Sequence, residues 1–306
     1  MTQEATIRRI TAGTLRGLPL PDPAGGSKDA RGSALVIAGS VEVPGAAILA
    51  GTAALRAGAG KLQMSIAAGT APHAALAVPE ALVVRLPEGE GGHVDHRVAA
   101  EVLLPRTERA AAVLIGAGMA SGEPTKALTA ALLTGPATAP FVLDAASIDG
   151  LCDHAPAVRA RAGRVVLTPH AGEMARCLGC TRDAVEADPL GAARRAVELL
   201  GAVVVMKGAE TWIVDPAGDV WHYAGGGAGL ATSGSGDVLA GIIVGLLARG
   251  TPPAEAAAWG VFLHGEAGRR LGQSCGPIGF LARELPAEVP GLMRDVAGGT
   301  MPEPAA

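Results

Sequence analysis

From Ser33 onward the chain repeats one pattern, a short run of apolar and often β-branched residues followed by a longer stretch with helical character. The runs are ALVIAG (34–39), KLQMSIA (61–67), ALVVRL (81–86), AAVLIG (111–116), FVLDA (141–145), RVVLT (164–168) and AVVVMK (202–207). Strands that are apolar on both faces and alternate with helices fit a mainly parallel sheet covered by helices on both sides, because parallel neighbours need long crossover connections. The rhythm changes near Thr211. There TWIVD and DVWHY are separated only by Pro216, Ala217 and Gly218, which predicts an antiparallel hairpin at the edge of the sheet. Two strongly helical segments follow, Ser235 to Arg249 and Pro253 to Leu271. Residues 1–27 lack apolar periodicity and end in LPLPDPAGGS, so they read as an arm and loop outside the core. The Pro- and Gly-rich residues 286–306 read as a loosely ordered tail. Residues 28–285 then form one α/β domain, with no internal repeat and no linker.

Composition removes several function classes. The formal charge of −4, with Lys and Arg scattered, leaves no basic footprint for nucleic acid. The longest uncharged apolar run, Val238 to Ala248, falls short of the roughly 20 residues that a membrane span takes. The start, MTQEATIRRITAG, carries two arginines with no apolar stretch after them, so no secretory signal is read and a cytoplasmic location is expected. Four cysteines in a chain of 306 residues do not make a disulfide framework. The single CxxC pair, Cys177 and Cys180, reads as small apolar residues on a helix.

The stretch with the most chemical content is Leu230-Ala231-Thr232-Ser233-Gly234-Ser235-Gly236-Asp237, which runs straight into the apolar helix VLAGIIVGLLARG. Small residues let backbone approach a ligand, and a helix start presents free N–H groups and the positive end of its dipole, so this is an anion hole. A carboxylate at Asp237 in that field can accept the proton of a substrate hydroxyl during phosphoryl transfer. The plain alternative is that Asp237 is a favourable first-turn residue and the glycines a turn.

The form ATSGSGDVLAG (231–241) resembles the GxGD element of ribokinase-like enzymes, in the version carried by the NAD(P)H-hydrate dehydratases. Other stretches agree in order: Leu35 to Gly39 with Ser40 and then Pro44-Gly45-Ala46-Ala47; Leu55 to Gly60; Leu167-Thr168-Pro169-His170-Ala171-Gly172-Glu173; Lys207-Gly208-Ala209-Glu210-Thr211; and Leu263-His264-Gly265. The resemblance covers about residues 28–270. It implies a ribokinase-like fold and the nucleotide-driven dehydration of hydrated NADH and NADPH (NADHX and NADPHX). By the same resemblance Asp237 is the catalytic base, and Ala46, Ala47, Gly116, Gly118, His170 and Glu173 meet the hydrate. Lys207, Gly208, Ala209, Glu210 and Thr211 would hold the adenosine part, and Gly234, Ser235 and Gly236 the phosphates. ADP or ATP would be the co-substrate with Mg²⁺, whose protein ligands are not assigned. Family members without a fused epimerase domain are generally ADP-dependent homotetramers, and the chain has no room for that domain.

Each motif also has a plainer reading. Glu173 suits the first turn of a helix, Ala46 and Ala47 suit helix packing, and Lys207 suits a solvated strand end. Gly116 to Gly122 with Asp144 invites a Rossmann reading, but Pro124 puts the helix start near Glu123 and leaves too long a loop for a pyrophosphate turn. The stretch instead resembles the family's GPGLG loop. No Walker A is present, since Gly60-Lys61 is followed by Leu62 and has no glycine at the required spacing. The chain departs from the family at Ala117, Ala146, Ala171 and Gly225 to Gly227, and the change at 146 removes a carboxylate expected near the phosphates. Two rival functions use the same features: a kinase acting on a hydroxymethylpyrimidine or thiazole alcohol, and a nucleotide sensor without turnover.

Overall fold

The computed structural model describes residues 7–22, 26–89 and 94–301. The strands are β1 (Ile7–Arg9), β2 (Ser33–Ile37), β3 (Lys61–Ala67), β4 (Ala81–Leu86), β5 (Ala112–Ile115), β6 (Phe141–Leu143), β7 (Val165–Leu167), β8 (Val203–Met206), β9 (Thr211–Val214) and β10 (Val220–Tyr223). They form one sheet in the order β1-β10-β9-β8-β7-β6-β5-β2-β3-β4. β9 alone runs against its neighbours; every other pairing is parallel. This is the expected mainly parallel α/β architecture.

The helices are α1 (Ala12–Arg16), α2 (Gly45–Arg56), α3 (Ala71–Ala77), α4 (His96–Arg109), α5 (Glu123–Thr134), α6 (Ala155–Arg159), α7 (Ala171–Leu178), α8 (Arg182–Ala187), α9 (Pro189–Leu200), α10 (Ser235–Ala248), α11 (Pro253–Ser274) and α12 (Leu285–Ala297). Successive strand residues point to opposite faces, so Ala34 and Val36 pack under α2, α10 and α11 while Leu35 and Ile37 pack under α4 and α5. Helix α10 is apolar all round because it is buried all round, and every residue from Val238 to Ala248 is closed to solvent. Its glycines face α2. A Cβ on Gly241 would come within 2.3 Å of the Ala50 carbonyl oxygen, and one on Gly245 within 2.5 Å of that of Ala54. Gly241→Leu is therefore expected to lower the unfolding free energy by about 2–4 kcal/mol through overpacking, read from denaturant titration.

Three expectations are corrected. Part of the arm belongs to the fold: β1 adds in parallel to β10, and Ile10, Ala12 and Leu15 are buried, so the hairpin does not end the sheet. The tail is a packed helix. Leu285, Val289, Leu292 and Val296 of α12 are fully buried, and their 4-3-4 spacing is a helical stripe. Pro286 falls in the first turn, where its missing N–H is not needed. Residues 1–6, 23–25 and 302–306, at the outer parts of the arm and tail, lie outside the described residues. Finally, Cys177 is not just a small apolar helix residue but forms a disulfide with Cys152, with Cα atoms 5.3 Å apart; Cys180 and Cys275 are free. The disulfide joins the turn after β6 to α7, beside an Arg176–Asp149 ion pair of 2.7 Å. No helix among the described residues is long and apolar enough to cross a membrane.

Candidate active site

Parallel strands that are neighbours in the sheet end on one side, so the loops after β2, β5, β6, β7 and β8 stand in a row. The chain winds outward from β2 through β3 to β4, then returns to place β5 on the other flank of β2. That reversal opens a crevice at the carboxyl ends of β2 and β5, the usual ligand position in open α/β sheets. A cavity of about 200 Å³ occupies it, lined by Gly39, Ser40, Met119, Ala120 and Ser121 among others. Further along the row, a cavity of about 750 Å³ is lined by His170, Lys207, Gly208, Ala209, Glu210 and Trp212 among others.

A charge cluster belongs to the same row. Asp144, the residue after β6, is 2% exposed. Its Oδ1 accepts hydrogen bonds from Thr168 Oγ1 at 2.6 Å and Lys207 Nζ at 2.9 Å. Lys207 Nζ also lies 3.9 Å from Glu173 Oε2. Burial alone would push the Lys207 ammonium down, but Asp144 and Glu173, with Asp237 further off, outweigh it and hold the group above its ordinary value. Lys207 is thus not the solvated charge of the plain reading. It is held in place from the backbone as well, since its N–H donates to the Pro169 carbonyl at 2.9 Å and extends the β7–β8 pairing.

Asp237 sits in the first turn of α10, after Gly234, whose left-handed φ of +88° the sequence meets with a residue that has no Cβ. Burial first, then the negative charges of Asp144 and Glu173, lift the Asp237 carboxyl to about 7 against the partly offsetting pull of Lys207. A carboxyl so placed is half ionised near neutral pH, which suits a general base. The N–H groups of Gly236 and Asp237, in the first turn, have no acceptor in the helix and make no hydrogen bond elsewhere among the described residues. Two free donors at a helix start are what an anion hole there would need. Gly236 lies beside Lys207, since a Cβ at 236 would stand 3.4 Å from Nζ, an ordinary contact.

Ser235 is held from two sides: its hydroxyl is 2.8 Å from His264 Nε2, and its N–H donates to the Thr232 carbonyl, so that amide is engaged within the turn. His264 was not foreseen as a site residue. Burial drives its pKa down to about 4, with Lys207 adding to the effect. The neutral ring therefore fixes the start of α10 through Ser235.

His170 and Glu173 form a reciprocal cap on α7. His170 Nδ1 accepts from the N–H groups of Gly172 and Glu173, at 2.9 and 3.3 Å, while Glu173 Oε2 accepts from the His170 N–H at 2.8 Å. Nδ1 is therefore the acceptor of the cap, and Nε2, the remaining ring nitrogen, lies 3.4 Å from Glu173 Oε1. Glu173 serves both readings at once: it caps the helix, and it adds negative charge to the Lys207 cluster.

The remaining expected contacts divide. Gly118 (φ +62°) permits contact with α2, because a Cβ there would fall 2.3 Å from that of Ala46. Ala46 and Ala47 are 2% and 0% exposed, so their side chains pack in the core and Ala47 has no surface to offer a ligand. Gly116 is also buried; a Cβ would meet the Asp144 carbonyl oxygen at 1.9 Å, and its role is to let the loop after β5 cross that after β6. Glu210 pairs with His222 at 2.8 Å, Trp212 stacks on the same imidazole at 4.1 Å, and Thr211 opens β9 opposite Tyr223. Ala146, where the family carries an acid, is 4% exposed in a short 3-10 turn. Among the described residues no group of three or more His, Cys, Asp or Glu side chains is placed to hold a metal ion.

Residues 34–290 match the sequence profile of a family described as NAD(P)H-hydrate dehydratase. An ADP-dependent (S)-NAD(P)H-hydrate dehydratase of Xanthomonas campestris is 48% identical over 289 residues, covering 94% of this chain and 96% of that one. Among solved structures, the ADP/ATP-dependent NAD(P)H-hydrate dehydratase of Bacillus subtilis, crystallised with ATP and Mg²⁺, superposes with a TM-score of 0.79 at 28% identity, covering 95% of this chain and 99% of that one. A ribokinase-like superfamily protein of Enterococcus faecalis superposes with a TM-score of 0.81 at 25% identity, covering 95% and 96%.

Proposed function

The chain belongs to the NAD(P)H-hydrate dehydratase family, and from that premise we propose how its residues convert the S-epimer of hydrated NADH or NADPH back to the reduced dinucleotide with consumption of an adenine nucleotide. The observation that carries the mechanism is Asp237, a carboxyl lifted to about 7 at the mouth of a helix whose first amides are free. In this reading the hydrated nicotinamide occupies the crevice between β2 and β5, and the nucleotide lies along Lys207 to Glu210 with its phosphates toward Gly236.

Asp237 takes the proton of the ring hydroxyl as that oxygen attacks the terminal phosphorus of the nucleotide and the phosphoanhydride bond breaks, releasing AMP from ADP or ADP from ATP. The amides of Gly236 and Asp237 and the ammonium of Lys207 meet the negative charge that gathers on the transferring group. The ring nitrogen lone pair then expels phosphate by cleaving the C–O bond, and loss of a proton from the adjacent carbon restores the dihydronicotinamide. The net change is loss of water from the hydrate and transfer of phosphoryl to that water. His170, with Nδ1 occupied by its cap, turns Nε2–H from Glu173 Oε1, 3.4 Å away, to the substrate and acts as an orienting donor rather than a base.

Mg²⁺ would neutralise phosphate charge, but the residues present do not fit a protein cage for it. Asp144 already shares Oδ1 with Thr168 and Lys207, so such an ion would be held by the nucleotide itself. Family membership favours dehydration over the kinase and sensor alternatives, and ADP is the preferred co-substrate in this reading. Incubation of the protein with NADHX, Mg²⁺ and either ADP or ATP should restore absorbance at 340 nm, faster with ADP. Absence of any gain with both nucleotides would refute the reading.

A further inference from the structure

At the opposite end of α10 from Asp237 lies a cavity of about 820 Å³. The rise along the helix from Asp237 to Ala248 puts it about 17 Å from the catalytic carboxyl. Its walls come from α1 and the following Pro19 to Pro21, the end of α2, the end of α10, and α12. Five arginines line it, Arg16, Arg31, Arg56, Arg249 and Arg294, and no Asp or Glu does. That grouping is unusual in a chain whose formal net charge is −4.

Three of the five have no carboxylate partner. Arg31, Arg56 and Arg249 make no ion pair among the described residues. Arg249 is half-buried and is fixed by donating to the carbonyls of Ala57 and Pro21, at 3.1 and 2.9 Å. Burial first, and then the charge of Arg31 beside it, hold its guanidinium below the ordinary value. The rest of the lining is apolar: Leu15, Leu20, Leu55, Trp259, Met293 and Val296. Like charges gathered in an apolar pocket without counter-charges are unfavourable until an anion joins them, and guanidinium groups match carboxylate, sulfonate and phosphate oxygens. The volume falls within the range of small-molecule sites.

We propose that this cavity is a second ligand site, separate from the catalytic one, that takes an organic anion with an aromatic or aliphatic body. The anionic group meets Arg31, Arg56 and Arg249, and the body lies against Leu55, Trp259 and Met293. The proposal does not depend on the dehydratase chemistry.

The test uses two probes with nearly the same body, 8-anilinonaphthalene-1-sulfonate and the uncharged N-phenyl-1-naphthylamine, titrated into the full chain. The sulfonate should bind at one saturable site about tenfold or more tightly than the neutral compound, and more weakly as salt is raised. Arg31→Glu with Arg56→Glu, at two exposed side chains that make no ion pair, should weaken the sulfonate by a similar factor while NADHX turnover stays unchanged. Asp237→Asn should leave sulfonate binding as it is, which separates this site from the catalytic one. Equal affinity for both probes, or sulfonate binding that survives the charge reversal, would overturn the proposal. So would sedimentation showing that a second copy of the chain covers this face and that the sulfonate does not bind.

Discussion

Asp237→Asn is expected to lower NADHX turnover by about 10²–10⁴-fold while leaving nucleotide affinity within a small factor of wild type. The amide keeps the shape of the side chain, and the N–H groups of the anion hole belong to the backbone, so what is lost is the proton acceptor. The same substitution should stabilise the fold at alkaline pH. The folded-state value of about 7 lies above the ordinary 3.8, so the native state prefers the protonated acid. Wild type loses that preference as pH rises from about 4 through 7 and then carries a charge facing Asp144 and Glu173. The asparagine variant carries none. At pH 8 it should unfold about 1–2 kcal/mol harder than wild type, a figure discounted for the partial exposure of the group, and the gap should close as pH falls toward 4. Activity loss with no gain in stability would point to damaged geometry rather than to a missing base.

Lys207→Met should be the more damaging change. It removes the cation that Asp144 and Glu173 surround at 2.9 and 3.9 Å and leaves three carboxyl groups facing one another. The expected loss of stability at pH 8 is about 2–4 kcal/mol, in the range for breaking a buried ion pair after allowing for partial access of water. It should shrink toward pH 4, where the Asp237 carboxyl is protonated. Turnover should fall for two reasons. The developing phosphate charge loses an attractive partner, and Lys207 is the one group that lowers the Asp237 pKa, so without it the base is largely protonated at pH 7. Raising the pH should recover part of the rate in the variant. A variant with wild-type stability and a wild-type pH dependence would remove Lys207 from the mechanism.

Much of the fold was legible because the strands of a parallel sheet are covered on both faces and so read as unbroken apolar runs. The hairpin at Pro216 to Gly218 and the start of α5 at Glu123 were legible from turn and proline chemistry. The ends of the chain were not. Pro286 and Pro290 mask the stripe of Leu285, Val289, Leu292 and Val296, although its spacing was present in the sequence. Residues 7–9 are too few to show a period, and their pairing with β10 depends on tertiary contact. In the site, Asp237 and the small residues before it were readable because a helix start forms an anion hole locally. The partners of Lys207 were not, since Asp144 lies 63 positions away and only the sheet order brings β6 and β8 together around β7. Asp144 did carry a signal, being an acid at a strand's carboxyl end. His264 carried a signal only through the Leu263-His264-Gly265 match, which gave it no role, and the Cys152–Cys177 disulfide carried none, because both depend on how separate segments pack. Ala47 packs in the core, which its place on an apolar helix face already allowed.

The central claim is that the proton affinity of Asp237, set by its surroundings, governs the reaction. It is tested most directly by the pH dependence of kcat/KM for NADHX, with 340 nm absorbance as the readout and ADP saturating. The rate should rise with pH through an inflection near 7, and in Lys207→Met that inflection should move to higher pH. A profile flat from pH 5 to 9, or one with an inflection near 4 that Lys207→Met does not move, would contradict it.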